Sequence, residues 1–279
     1  MTTPSLNIKS DTLLEGQDKR RMAKKNNFSS LYKYLEKYNK NKDEKLLSIV
    51  IPVYNEQNTI KYVLENLPKH DVIEIIVVDD HSTDNSLEEI KNVNYKGDLH
   101  IIEHKINQGY GDAILTGIRH SKGEIFITMD SDGQHQSEDI FNLVKPILDH
   151  DADITIGSRY EGTYNYKLPI ATRLGEALLE VIITIFFGQN VKNNQGGFRA
   201  FHRKTENICE NIKFKGYAFT TELILSAVLF GYKIKEVPIN LSSREFGSSY
   251  IILRKLIPSL FLCIIIYFFK KIKRILFTK

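Results

Sequence analysis

Four apolar runs, each closed by polar residues and each followed by a stretch of helical spacing, do most to restrict the folds open to this chain. LLSIVIPV starts at Leu46 and meets Tyr54, Asn55 and Glu56; VIEIIVV ends at Asp79 and Asp80. Leu99–His104 leads into NQGYGDA, and the run over 124–130 leads into Ser131, Asp132 and Gly133. Between and after them, Ile60, Val63, Leu64 and Leu67, then Leu87, Ile90 and Val93, then residues 113–119, then Ile140, Leu143, Val144 and Ile147 mark successive helical faces. Asn58 and Ser137 sit where N-caps belong. Near-continuous apolar strands alternating with helices predict an α/β domain with a mostly parallel sheet covered on both faces. Open sheets of this kind bind ligands at the carboxyl ends of their strands, which is where the polar residues gather.

Within EIFITMDSDGQH, Asp130 and Asp132 stand one residue apart at the end of a short strand. Two carboxylates so placed can face one cation when a following glycine, here Gly133, lets the backbone bend away. Mg²⁺ and Mn²⁺ are hard ions that take one or two carboxylates and complete their shell with water and phosphate oxygens. The pair is therefore a candidate for half of a metal–diphosphate site. Each cluster alone has a plainer explanation. A lone Asp-x-Asp is an acidic surface turn, Pro52 and Asn55 are turn residues, and Asp79 and Asp80 are helix caps. Gly109 and Gly111 lack the third glycine of a dinucleotide fingerprint, because Ile114 stands in its place.

The clusters gain weight from their order and spacing. Pro-x-Tyr-Asn-Glu after the first strand, Val-Asp-Asp after the second, Asn-x-Gly before a helix and Asp-x-Asp-Gly-Gln after the fourth resemble the family 2 glycosyltransferases of GT-A fold, over about residues 46–250. That resemblance implies that Pro52, Tyr54 and Glu56 border the nucleotide, with Val77 and Ser131 also on the donor and Asp79 reading the base. It implies that Asp130 and Asp132, with Gln134 close by, hold Mg²⁺ or Mn²⁺ on the diphosphate of a GDP- or UDP-sugar. Such an ion stabilises the charge that grows on the leaving nucleoside diphosphate.

The second half resembles the polyprenyl-phosphate branch, the group containing dolichol-phosphate mannosyltransferase. The residues that carry this are Ile156 to Tyr160, Asn193 to Phe201, Glu222-Leu223, Tyr232 to Pro238 and Arg244 to Ser249. By that resemblance Arg159 and Arg173 face the phosphate of a lipid acceptor, and Arg244 the donor diphosphate. Arginine suits both tasks, being always charged and able to give two parallel N–H bonds. The chain departs from the pattern twice: Asn193 replaces an Asp before Gly-Phe-Arg, and Tyr250 replaces a Lys after Arg244. A lipid monophosphate is already anionic near neutral pH and attacks without a strong base. An alcohol acceptor would want one, and Glu222 is then the best candidate.

Composition supports one main domain with appendages: a mobile basic extension over 1–45, the catalytic domain over 46–250, and an apolar, basic tail over 251–279. The net charge of +4 comes mostly from Lys/Arg-rich ends, which suits an anionic membrane surface better than a nucleic-acid groove. Residues 28–38 have the spacing of a short amphipathic helix. Cys209 and Cys263 have no metal spacing, which fits a reducing cytoplasm, and the polar N-terminus has no signal-peptide core. In the tail, the uncharged run Leu256–Phe269 would measure ~21 Å as a helix, short of the ~30 Å hydrocarbon core. Extending it crosses Arg254 and Lys255. The expectation is a helix lying at or dipping into the cytoplasmic membrane face, with a short spanning anchor and a buried core helix as alternatives. The activity expected is inverting transfer of a sugar to a polyprenyl (dolichyl or undecaprenyl) phosphate. The rivals are transfer to a saccharide hydroxyl and a catalytically silent sugar-nucleotide-binding protein. A processive polysaccharide synthase is disfavoured because the chain has no Trp and no multi-span region.

Overall fold

The computed structural model describes residues 27–39, 44–165, 170–216, 218–244, 246 and 253–277. Among the described residues, seven strands form one sheet. β1 (Leu47–Val53), β2 (Ile73–Asp79), β3 (Asp98–Glu103) and β4 (Ile125–Thr128) correspond to the four apolar runs, and β5 (Ile154–Tyr164), β6 (Arg199–His202) and β7 (Ile234–Leu241) complete it in the order β3-β2-β1-β4-β6-β5-β7. β1 runs parallel to β2 and β4, β2 to β3, and β5 to β7; β6 alone is antiparallel, wedged between β4 and β5. Every residue of β1, β2 and β4 is buried, as strands covered on both faces require. β3 and β7 are the edges, which explains the polar DLHIIE of β3 and allows Pro238 within β7.

The helices are α1 (Ser29–Tyr38), α2 (Ile60–Glu65), α3 (Ser86–Lys91), α4 (Tyr110–His120), α5 (Ile140–Leu148), α6 (Ile170–Phe187), α7 (Asn207–Glu210), α8 (Phe219–Phe230) and α9 (Leu253–Phe277). One face of the sheet packs Ile49, Ile51, Ile75 and Ile127 against Ile60, Leu64, Leu143 and Ile147. The other packs Val50 and Phe126 against Ile114, Ile118 and Phe219, with the Phe126 and Phe201 rings stacked at 5.0 Å. α1 belongs to the first face: Leu31 and Leu35 are buried there, and the Tyr34 ring meets Phe141 edge-on at 5.5 Å. Of the basic extension expected over 1–45, residues 1–26 and 40–43 lie outside the described residues.

Neither expected cap serves as one. Neither α2 nor the turn over Ser137–Asp139 has a side-chain N-cap bond, and the Ser137 hydroxyl donates to Asn66 O at 2.7 Å.

The expected C-terminal membrane helix is corrected. Among the described residues no helix is long and apolar enough to cross a membrane. α9 instead docks on the domain: Leu260, Cys263 and Tyr267 are buried in a third cluster with Ile183 of α6 and Leu225 of α8. The Tyr267 hydroxyl donates to Glu222 Oε1 at 2.9 Å. An apolar run short of a bilayer and flanked by Lys and Arg finds a protein surface to cover, and here that surface is α8 and α6.

Candidate active site

The site lies where β1 and β4 leave the sheet. At that point the chain crosses from one side of β1 to the other, the switch point at which open α/β sheets form a crevice. β4 ends at Thr128, and the backbone turns through Gly133 at φ 76°, a conformation that favours glycine. This aims Asp130 and Asp132 out of the strand end. Asp130 accepts from the Tyr110 hydroxyl at 2.9 Å, and its other oxygen lies 3.2 Å from His135 Nε2. Asp132 accepts from its own loop, Gln134 N to Oδ1 at 3.1 Å, and its other oxygen lies 4.0 Å from Arg244 Nη1.

Neighbouring segments stitch this turn in place. Ser131 Oγ donates to Pro52 O at 2.9 Å, and Thr59 Oγ1 donates to Ser131 O at 2.9 Å. Gln134 Nε2 donates to Ser242 O at 2.9 Å and Ser242 N to Gln134 O at 2.9 Å, which ties the loop to the end of β7. The same strand end delivers Arg244, whose guanidinium pairs with Glu56 while facing Asp132. One arginine from the far end of the domain thus bridges the loop after β1 and the loop after β4.

The VVDD acids divide their work. Asp80 accepts from Gln108 N at 2.8 Å and Gly109 N at 2.7 Å, and lies 2.7 Å from His104 Nδ1, so it holds the turn that opens α4. Asp79 accepts from Ser82 N at 3.2 Å through one oxygen, and its Oδ1 is buried with no hydrogen-bond partner. Val77, also expected on the donor, is fully buried in the core two residues earlier. Tyr54 is partly buried just past β1.

Three residues of this site had no role assigned from sequence. Tyr110 and His135 orient Asp130, and Gly197 makes room for it: a β-carbon there would lie 2.6 Å from Asp130 Oδ1 and also strike the Tyr110 hydroxyl. Arg199, fully buried, donates to the carbonyls of Gly196, Asn194 and Thr220 and so fixes the Gly-Gly-Phe-Arg loop against α8. The motifs had pointed to these stretches without saying which atom meets which. Asn193 is buried, with Nδ2 donating to Gly157 O at 2.6 Å.

The expected acceptor arginines form a separate cluster at the junction of β5 and α6. Arg159 Nη2 donates to Glu176 Oε1 at 2.5 Å, the Tyr160 hydroxyl donates to the other Glu176 oxygen, and Arg173 lies 4.1 Å over the Tyr160 ring. Glu222 is not brought to the aspartate pair. Its fully buried carboxylate accepts from Lys213 N at 2.9 Å, Phe214 N at 2.6 Å and the Tyr267 hydroxyl. Tyr250 lies outside the described residues.

Charge at the pair is uneven. Burial raises the Asp130 pKa, but His135, Tyr110 and Arg244 outweigh it and hold that carboxyl below its ordinary value. Burial and the neighbouring Asp130 charge push Asp132 up. Burial also raises Glu56, against the pull of Arg244. An all-oxygen pair in which one carboxylate resists ionising beside the other is short of positive charge, and a hard divalent ion fits that donor set. Binding the ion needs both carboxylates deprotonated, and a raised Asp132 keeps its proton to higher pH. Mn²⁺ affinity is therefore expected to fall on acidification earlier than at an ordinary carboxylate pair. Titrating Mn²⁺ between about pH 4 and 7 checks this; affinity flat across that range would overturn it.

The seven-stranded, mostly parallel sheet with paired carboxylates at its switch point is a GT-A-like α/β fold. The family model described as Glycosyl transferase family 2 matches residues 48–208, and the chain belongs to that family. It is 31% identical over 222 residues to UDP-N-acetylglucosamine–dolichyl-phosphate N-acetylglucosaminyltransferase of Methanococcus voltae, covering 73% of this chain and 88% of that protein. It is 29% identical over 214 residues to undecaprenyl-phosphate 4-deoxy-4-formamido-L-arabinose transferase of Salmonella choleraesuis, covering 74% of this chain and 62% of that protein. These relatives match the polyprenyl-phosphate branch. In fold, it is similar to glucosyl-3-phosphoglycerate synthase of Mycobacterium tuberculosis, solved with Mn²⁺, UDP-glucose and phosphoglyceric acid, at TM-score 0.61 and 20% identity over 79% of this chain and 80% of that one.

Proposed function

We propose that this glycosyltransferase moves a sugar from a GDP- or UDP-sugar to a polyprenyl phosphate at the cytoplasmic face of a membrane, with inversion at the anomeric carbon. The observation that carries the acceptor reading is α6. Ile170, Leu174, Leu178, Val181 and Ile185 are all exposed, between 52% and 78%. A helix on a water-soluble surface hides such a stripe. Here the stripe starts beside Arg173, so a charged headgroup site opens onto an apolar track, the two halves of a lipid phosphate. Both named relatives act on polyprenyl phosphates, and the Arg159–Tyr160–Arg173 cluster is where such a phosphate would be held.

On the donor side, Asp79, whose Oδ1 has no protein donor, would read the base, with Pro52, Tyr54, Glu56 and Ser131 bordering the nucleotide. Arg244 takes the diphosphate, leaving its pairing with Glu56 to do so. Asp130 and Asp132 would hold Mg²⁺ or Mn²⁺, which when bound offsets the charge growing on the leaving diphosphate. Gln134, whose side chain is committed to Ser242 O, would have to turn to join them. Tyr110 and His135 keep Asp130 ionised and oriented. The lipid phosphate oxygen attacks the anomeric carbon opposite the departing diphosphate. As an anion already, it needs no base, in keeping with a Glu222 whose carboxylate is occupied by three donors. The membrane contact is peripheral, through the α6 stripe.

The test incubates the full chain with a panel of sugar nucleotides, Mn²⁺ or Mg²⁺, and undecaprenyl or dolichyl phosphate, and scores labelled lipid. Arg159→Ala and Arg173→Ala are each expected to raise the lipid-phosphate KM by ~10-fold or more, the scale of one charged hydrogen bond, with little change in donor KM. Label on a saccharide hydroxyl instead, or donor KM rising as much as acceptor KM, would overturn the acceptor assignment.

A further inference from the structure

We propose that Glu74, Asp98 and His100 form a second divalent-cation site, suited to Zn²⁺, at the end of the sheet opposite the aspartate pair. The strand register builds it. Glu74, near the start of β2, pairs directly with Asp98, the first residue of β3, and His100 follows two residues later on the same face. Two carboxylates directly opposite each other in a sheet repel unless a cation lies between them. His100 Nε2 is 3.0 Å from Asp98 Oδ1 and 3.6 Å from Glu74 Oε2, and the three ligand atoms lie within 4.8 Å of one another. A tetrahedral ion with bonds of ~2.0–2.2 Å holds its ligands ~3.4 Å apart, and the two separations from His100 lie close to that spacing.

A second observation points to a ligand. Glu74 is fully buried; its Oε1 accepts from Ser48 Oγ at 2.6 Å and Lys122 N at 2.5 Å, while Oε2 is buried with no hydrogen-bond partner. A buried carboxylate oxygen left without a donor is costly, and this one is aimed at His100. His100 Nε2 is closer to Asp98 and does not reach it. One ion bonded to all three would satisfy the oxygen and clamp the edge strand β3 onto β2. Lys45 Nζ holds the other Asp98 oxygen at 2.8 Å, fixing that ligand in advance. His100 is 45% exposed, which leaves an entry path and a place for a water ligand. One imidazole nitrogen and two carboxylate oxygens favour Zn²⁺ over Mg²⁺, which prefers oxygen alone and sheds water reluctantly.

The test strips the full chain with chelator, equilibrates it with excess Zn²⁺, removes free ion by gel filtration and counts the metal retained. His100→Ala and Glu74→Gln are each expected to lose one equivalent relative to wild type, whereas Asp132→Asn keeps it. Zn²⁺ should raise the melting temperature of wild type and not of His100→Ala. Gln at 74 keeps an acceptor for Ser48 and Lys122, so this variant tests the site even if His100→Ala misfolds. Equal Zn²⁺ on wild type and both variants, no Zn²⁺ on wild type, or loss of all of it in Asp132→Asn would each overturn the proposal. None of these outcomes depends on transferase activity.

Discussion

Asp132→Asn is expected to leave a folded protein whose sugar transfer falls by about 10²–10³-fold, the scale of removing one preorganised electrostatic contact to a developing charge. The fold survives because an amide oxygen can still accept from Gln134 N, and the stitching of the loop runs through Ser131, Gln134 and Ser242 instead. What disappears is one of two anionic oxygens facing the same space, together with the partner that Arg244 shares with Glu56. Asp130→Asn should be at least as severe, since Tyr110 and His135 are both arranged around that carboxylate. The measurement is turnover in a Mn²⁺-dependent assay, with calorimetry of UDP binding in the presence and absence of the ion. The mutant should lose the metal-dependent part of nucleotide binding and keep the rest. Near-normal turnover in either variant would remove the aspartates from the proposed site.

Glu222 carries the second large effect, on stability. Glu222→Ala should cost about 3–5 kcal/mol, because it strands two partly buried backbone N–H groups and takes the carboxylate partner from the buried Tyr267 hydroxyl, each worth about 1–3 kcal/mol when unsatisfied. For a chain of this size that is a fall of roughly 10 °C in melting temperature. Glu222→Gln supplies the discriminating arm. Its oxygen can still accept from Lys213 N and Phe214 N, and its NH₂ can donate to the tyrosine oxygen. Transfer should then stay within a few-fold of wild type. Glu222→Gln folding normally with transfer abolished would instead make Glu222 a base and favour a hydroxyl acceptor. The same contacts make removal of the tail more than loss of an appendage, since α9 supplies Tyr267 and covers Ile183 and Leu225.

The sequence alone determined the alternation of strands and helices over 46–148 and the gathering of Glu56, Asp79, Asp130 and Asp132 at strand ends. These follow from local rules: apolar periodicity fixes which face is buried, and a glycine or proline after a strand fixes where it stops. The family was legible for the same reason, its motifs being short and each confined to one strand end.

What tertiary structure decided are the pairings between distant segments. β6 overlaps the Asn193 to Phe201 motif, and only the fold inserts it antiparallel between β4 and β5 and brings Gly197 against Asp130. Arg244 reaches Glu56 across 188 residues because β7 ends beside the loop after β4. Asp79 and Asp80 look alike in sequence, and only the fold turns Asp80 inward to hold the α4 turn. The apolar tail reads first as a membrane-face helix, with a core helix as an alternative, because burial rewards apolar area whichever surface covers it. Only the presence of α6 and α8 as that surface tells the two apart.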